Sequence, residues 1–302
     1  MQELNRMKTA NTEQASSISA QELRGMPVVK QMAQELQEKI EALAKKKIEV
    51  TLAVVRVGER EDDLSYERGL LKRFDAVSAS VRKVVLPLTV TQEELEQQIN
   101  QLNEDTSVHG ILVFRPLPKH LNEKKIKEMV SPDKDVDCMG SMNSAHVFAQ
   151  DGEGHAPCTP QAVMEMLHHY EMELQGKKAV VVGRSMVVGK PLAMMLLKEN
   201  ATVTICHTKT ENLKKECQEA DYLFAAAGAA EMIDESYVRA GQVVIDVGIN
   251  MKEEKLCGDV KYDAVKDIVA AISPVPGGVG TVTTSVLLKH TVLNAERMAG
   301  TE

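Results

Sequence analysis

Residues 178–191 read Lys-Ala-Val-Val-Val-Gly-Arg-Ser-Met-Val-Val-Gly-Lys-Pro, an apolar run that breaks at Gly183 and restarts at Gly189 and Pro191 as a helix. A strand turning on a glycine into a helix start is the layout of a nucleotide phosphate cradle. The free N–H groups and positive dipole end of such a helix favour an anion. The loop departs from G-x-G-x-x-G, because Ser185 stands at the second glycine and Gly189 comes one residue late. By itself it fits a plain βα connection equally well. Three more short apolar segments follow at 201–206, 222–227 and 242–250, with helical patterns between them. Strands alternating with helices predict a parallel, doubly wound sheet, so the second half reads as a Rossmann-type α/β domain.

Where an NAD site places an acid for the ribose hydroxyls, this chain has His207-Thr208-Lys209-Thr210. With no acid there, Arg184, Thr208 and Lys209 suit a 2′-phosphate, which favours NADP and leaves NAD as the alternative. The same cations also fit solvated loop charges.

A chain of 302 residues, 43% hydrophobic and 26% charged, has room for two domains with proper cores. The net charge of −8, with four Phe, five Tyr and no Trp, argues against nucleic-acid binding by basic patches and base stacking. A small-molecule partner is the expectation. Cys138, Cys158, Cys206, Cys217 and Cys257 are odd in number, scattered, and form no C-x-x-C pair. That pattern indicates neither a disulfide framework nor a metal site, and it fits a reducing cytoplasm. No apolar run reaches membrane-spanning length, and the polar residues 1–20 read as a disordered extension.

The first half has its own α/β pattern. Val28, Met32, Leu36, Ile40 and Leu43 recur at helical spacing. Strands are expected at 50–57, 81–86 and 110–114, with helices near Glu61 and over 92–102. Pro116 and Pro118 close the last strand in a loop on its carboxyl end, where open α/β sheets bind ligands. A Gly-, Ser- and Pro-containing stretch at 141–160 leads to the second half.

Extended segments then carry a resemblance. They are Val57-Gly58 with Tyr66, residues 110–120, 132–137, Pro157-Cys-Thr-Pro160, 182–191, 201–207, 245–250, Gly258-Asp-Val260 and 274–280. In this order they resemble the methylenetetrahydrofolate dehydrogenase/cyclohydrolase family. The resemblance implies two α/β domains across a cleft: a folate-binding catalytic domain (21–155 plus 283–302) and an NADP-binding Rossmann-type domain (156–282). It also implies a cytoplasmic homodimer that acts on a tetrahydrofolate derivative, without nucleic-acid or membrane partners.

Through the resemblance, Tyr66 is expected to stack on the folate and Asp137 to hydrogen-bond the pterin, with Phe114, Pro276, Gly277 and Gly278 on the substrate side. Gly183, Arg184, Ser185, Gly189, His207, Thr208 and Ile249 are expected around the cofactor. Taken singly, Tyr66 also fits a half-buried core tyrosine and Asp137 a loop acid. Cys158, His168 and His169 read as packing or surface residues, and Lys45 to Lys47 as a solvated helix end.

The departures are informative. Counting from Tyr66, Asp63 stands at the family serine and Leu70 at the family lysine held to be central to catalysis. The glutamine that supports that lysine is Phe114, the proline after Gly280 is Thr281, and the glycine after Asp137 is Cys138. Asp63, Leu70 and Phe114 are expected on one pocket. Lys72 projects about 240° round the helix from Tyr66, and Arg73 returns to the same face but is too strong a base to exchange protons. Asp63 itself fits either a helix-start acid or a carboxylate that favours the cationic product.

Hydride transfer rests on juxtaposing two rings, an effect worth up to roughly 7–11 kcal/mol. Hydrolysis of the methenyl carbon needs a proton-transfer group, worth on the order of 100- to 10,000-fold. The expectation is therefore an NADP-dependent dehydrogenase whose cyclohydrolase step is lost or weak. A fully bifunctional enzyme and a repurposed, non-catalytic paralogue are the alternatives.

Overall fold

The computed structural model describes residues 20–300. The expected extension at 1–20 lies outside the described residues except for Ala20.

The first unit is a parallel three-stranded sheet with β2 (Thr51–Val57) between β3 (Ser80–Leu86) and β4 (Gly110–Val113). All seven residues of β2 are buried, the pattern of a strand covered on both faces. Its even positions, Leu52 and Val54, face one core and its odd positions, Ala53, Val55 and Val57, another. Helices α1 (Gly25–Lys45), α2 (Glu61–Asp75), α3 (Gln92–Glu104), α4 (Glu123–Met129) and α5 (Ser141–Ala149) belong to this half of the chain. The buried face of α1 carries Val28, Met32, Leu36, Ile40 and Leu43, the spacing read from the sequence. A capping box fixes the start of α3: Thr91 accepts from the Glu94 N–H, and Glu94 accepts from the Thr91 N–H.

After α6 (Cys158–His169) come β5 (Lys178–Val182), α7 (Gly189–Lys198), β6 (Thr202–Cys206), α8 (Leu213–Glu219), β7 (Tyr222–Ala225) and β8 (Val243–Asp246). A hairpin of β9 (Asn250–Lys252) and β10 (Lys255–Cys257), the short α9 (Tyr262–Val265), β11 (Ala271–Ile272) and the long α10 (Val279–Met298) complete this half. The six-stranded sheet runs β1-β11-β8-β7-β5-β6, all parallel, where β1 is Gln21–Glu22. Gln21 and Glu22, grouped by sequence with the first unit, thus pair with the sheet of the second.

In both sheets the chain moves outward in opposite directions from one strand, β2 in the first and β5 in the second. The loops after those strands sit where open α/β sheets form their crevice. Between the sheets, α10 packs on α1, α6 and α2, and one apolar core runs from Leu52 and Val54 through these helices to Val181 and Phe224. No helix among the described residues is long and apolar enough to cross a membrane.

Two expectations are corrected. The stretch at 242–250 is not one strand, because β8 ends at Asp246 and the chain turns before the β9 hairpin. The Asp246 carboxylate stands in for a ladder partner there, accepting the Gly248 N–H at 3.0 Å, and Asp259 holds the Asn250 side-chain amide at 2.9 Å. The stretch at 141–160 is not all linker, since it begins with α5. The Asn143 side chain anchors that helix by donating to the carbonyls of Pro132 and Asp135.

Candidate active site

The loop after β5 is packed backbone against backbone. Gly183 has φ +137°, and a Cβ there would sit 2.1 Å from the Ala226 carbonyl oxygen. A Cβ at Gly189 would lie 2.1 Å from the Gly183 carbonyl oxygen, so the turn and the start of α7 close only with glycine at both positions. The Ser185 hydroxyl accepts from the N–H groups of Val188 at 3.0 Å and Gly189 at 3.4 Å. The serine at the second-glycine position therefore caps the turn. Arg184, Ser185, Met186 and Val187 are exposed at its mouth.

At the end of β6, His207 Nδ1 accepts the Lys209 N–H at 3.0 Å, and the His207 N–H donates to Thr210 Oγ1 at 2.8 Å. The imidazole thus accepts through Nδ1 and leaves Nε2 as its donor nitrogen. It shapes the turn that presents Thr208 and Lys209 to solvent.

A cavity of about 300 Å³ opens between the two units, lined by Asp63, Tyr66, Leu112, Val113, Phe114, Arg115, Asp137 and Val187. The first seven come from α2 and from β4 and the loops of the first unit. Val187 comes from the glycine loop of the second. Tyr66 is 40% exposed and meets the ring of Phe114 edge to face at 5.8 Å. Desolvation pushes the Tyr66 phenol well above its ordinary range, and the neighbouring Thr283 of α10, whose hydroxyl donates to the Gly280 carbonyl at 3.1 Å, opposes that rise.

Asp137 is held from two sides. Its Oδ1 accepts the Cys158 N–H at the start of α6 at 3.2 Å, and its Oδ2 lies 3.5 Å from Arg115 Nη2. Burial raises the Asp137 carboxyl above its ordinary value, and the Cys158 N–H, followed by Arg115, opposes that rise. Asp63 sits in the first turn of α2 beside Glu61 and Asp62, complementing the helix dipole. Burial raises its carboxyl too, with Arg60, 4.0 Å away, pulling the other way. One turn along, Glu67 forms an enclosed pair with Arg56 of β2 at 3.0 Å.

Leu70 corrects an expectation. It is fully buried, packed in the core with Phe74 and Phe114, and stands behind the cavity wall that Asp63 and Phe114 form. Leu70 lies one turn after Tyr66 on the same helical face, so tertiary packing and not helical rotation takes it out of the cavity. Lys72 is exposed in a separate depression with Asp75 and Ser80. Arg73 has a buried Nε without a hydrogen-bond partner, and burial lowers its pKa from the ordinary guanidinium value. Neither residue lines the cavity.

Pro276, Gly277 and Gly278 line a second cavity of about 240 Å³ with Asp246, Gly248, Ile249 and Thr281. Ile249 is 62% exposed. This cavity is distinct from that of Tyr66, but α10 begins directly after Gly278 and carries Thr283 to Tyr66. Beneath it, Asp246 accepts backbone N–H groups from Gly248, Asp259 and Val260, and burial pushes its carboxyl up to about 7.

Sequence reasoning passed over Arg115, Thr283 and Asp246. Arg115 directly follows Phe114 in a loop already marked as ligand-facing, so its position carried the available signal. Thr283 had none. Cys158 is buried, its Sγ donates to the Val136 carbonyl at 3.3 Å, and burial holds its thiol well above the ordinary range, which suits packing. His168 is exposed and pairs with Glu199.

Residues 23–137 match the family description "Tetrahydrofolate dehydrogenase/cyclohydrolase, catalytic domain", and residues 157–299 match its "NAD(P)-binding domain". The chain is 53% identical over 277 residues to the "Bifunctional protein FolD" of Clostridioides difficile (strain 630), covering 91% of this chain and 96% of that protein. Among solved structures, a bifunctional FolD methylenetetrahydrofolate dehydrogenase/cyclohydrolase from Campylobacter jejuni superimposes with a TM-score of 0.90 at 39% identity, covering 92% of this chain and 99% of that one. A Trypanosoma brucei methylenetetrahydrofolate dehydrogenase-cyclohydrolase complexed with NADP cofactor and inhibitor gives 0.87 at 34% identity, covering 93% and 99%.

Proposed function

The chain belongs to the tetrahydrofolate dehydrogenase/cyclohydrolase family, and we propose that it oxidises 5,10-methylenetetrahydrofolate to 5,10-methenyltetrahydrofolate with NADP. The observation that carries this reading is the shared cavity, where Tyr66 and Asp137 of the first unit and Val187 of the glycine loop line one space. A folate ring held by the first two would lie against the nucleotide loop.

NADP, when bound, supplies the acceptor for the hydride that leaves the folate's bridging methylene. The residues present fit it. The backbone-tight turn from Gly183 to Gly189, capped by Ser185, would hold the pyrophosphate at the start of α7. Exposed Arg184 and Lys209, with Thr208, would take the 2′-phosphate, and His207 keeps their turn in shape. Pro276, Gly277, Gly278 and Ile249 would border the nicotinamide. On the folate side, Tyr66 would offer a ring face, Asp137 a carboxylate for pterin N–H groups, and Asp63 a negative charge near the cationic product. Leu112, Val113 and Phe114 give the cavity an apolar wall beside these contacts.

The cyclohydrolase step is proposed to be lost or weak, because Leu70 is a buried hydrocarbon and Phe114 replaces a polar wall residue. A fully bifunctional enzyme is the second reading. It is favoured by the similarity to proteins named bifunctional and by Asp63, a carboxyl on the cavity wall whose pKa burial raises. A cytoplasmic homodimer is proposed as well, supported by the open edge strand β6 and by cysteines that are all free.

The test is an assay of the purified protein with methylenetetrahydrofolate and NADP, following reduced cofactor and methenyltetrahydrofolate together where spontaneous hydrolysis is slow. One-for-one accumulation supports a dehydrogenase without hydrolase activity. Reduced cofactor with formyltetrahydrofolate supports the bifunctional reading. Formation of neither, with NADP or NAD, overturns both in favour of a repurposed paralogue.

A further inference from the structure

We propose that Arg115 is a positioning residue for this reaction, holding Asp137 in place to receive the pterin ring. The inference rests on the proposed dehydrogenase reading and assigns a role to a residue that the family resemblance did not mark.

Three observations carry it. Arg115 is the one cation among the residues lining the cavity, and its Nη2 lies 3.5 Å from Asp137 Oδ2. It also lines the adjoining cavity of about 420 Å³ on the other side of Asp137, so its side chain borders the acid from both spaces. The other carboxylate oxygen is held by the Cys158 N–H. The loop after β4 and the start of α6 thus reach the two oxygens separately, Arg115 as an ion pair and Cys158 by hydrogen bond, and without Arg115 the carboxylate keeps only Cys158.

The surroundings of Asp137 make that second anchor consequential. Asp135 is a neighbouring like charge, and Asp63 stands on the wall of the same cavity. From α6, the Cys158 thiol is held neutral by burial. From α10, His290 is held neutral by burial and by His155. Tyr66 of α2 is neutral, and Lys127 lines only the adjoining cavity. Arg115 is therefore the cation paired with an acid whose burial and like-charged neighbour disfavour its ionised form. Arginine remains charged throughout the working pH range, so it positions and does not exchange protons. A cation at this distance lowers a carboxyl pKa by about 1–3 units.

The experiment compares wild type, Arg115→Leu and Arg115→Lys in two ways: kcat/KM for methylenetetrahydrofolate across pH, and titration of the Asp137 carboxyl by ¹³C NMR. In Arg115→Leu the acid limb of the profile and the Asp137 titration are expected to move up together by about one unit or more. Near the acid limb this lowers kcat/KM by about tenfold, with recovery at higher pH. Arg115→Lys should restore most of the shift. A uniform loss at all pH values with an unmoved Asp137 titration, at unchanged thermal midpoint, would overturn the proposal. If the wild type shows no dehydrogenase activity, the functional reading fails by itself, and the NMR titration still decides whether Arg115 controls Asp137.

Discussion

The rings of Tyr66 and Phe114 meet edge to face, with centroids 5.8 Å apart and planes inclined at 78°. This contact puts a hydrocarbon edge on the cavity wall beside the tyrosine expected to stack on the folate. A polar partner for a proton-transferring group is absent from that spot, and Leu70 behind it is sealed in the core.

Replacing both residues should therefore create hydrolase activity that neither change produces alone. Leu70→Lys by itself buries an unpaired charge and is expected to cost roughly 3–5 kcal/mol of stability. Adding Phe114→Gln provides a partner, and decay of methenyltetrahydrofolate should accelerate on the order of 100-fold over the parent. A parent that already hydrolyses methenyltetrahydrofolate rapidly would rule out the premise.

Asp63 faces the cavity with a carboxyl raised by burial, so its negative charge is present above that raised pKa and disappears as pH falls through it. Asp63→Asn should slow dehydrogenation by about tenfold, or about 1.4 kcal/mol of barrier, at pH values where the acid is ionised. At low pH, parent and variant should converge. Stopped-flow measurement of hydride transfer checks this, and equal rates at high pH would restrict Asp63 to complementing the α2 dipole.

The Arg56–Glu67 pair ties α2 to the centre of the first sheet, and both side chains are less than a tenth exposed. Glu67→Ala leaves a buried guanidinium that still donates to the Gly58 carbonyl but has lost its carboxylate, and should destabilise by about 3–5 kcal/mol. The double replacement Arg56→Met, Glu67→Leu should return near to parental stability. Urea unfolding of the three proteins reads both the cost of the broken pair and its recovery.

His290 stacks on His155 with centroids 4.2 Å apart and donates Nδ1–H to the Val136 carbonyl at 2.8 Å. Burial depresses its pKa well below the ordinary value. The unfolded chain therefore takes up this proton first. The neutral ring's contribution is present above about pH 6.5 and is lost as pH falls below it, by up to about 1.4 kcal/mol per pH unit. His290→Gln, able to donate to the same carbonyl, should show a flatter decline in thermal stability between pH 7 and 5.

Local periodicity and turn chemistry made most of the scaffold legible in the sequence. The helical spacing from Val28 to Leu43 marked α1, the apolar runs marked β2, β4 and β5, and Gly183 and Gly189 marked the turn into α7, because each depends on residues a few positions apart. The stretch at 242–250 misled for the opposite reason. Its apolar run looked continuous, but the Asp246 carboxylate takes the Gly248 N–H, and Asp259, from beyond the hairpin, holds the Asn250 side chain.

The candidate site divides the same way. Which residue types occupy positions 63, 66, 114 and 137 is a property of the sequence, as is the chemistry each type can perform. Tertiary structure alone decided that Arg115 pairs with Asp137, that Thr283 of the last helix reaches Tyr66, and that Leu70 lies behind the cavity wall. Those relationships depend on two crossovers meeting at the carboxyl ends of β2 and β4, and on α10 returning across the junction. Contacts set by the packing of distant elements leave no periodic trace in the segments that make them.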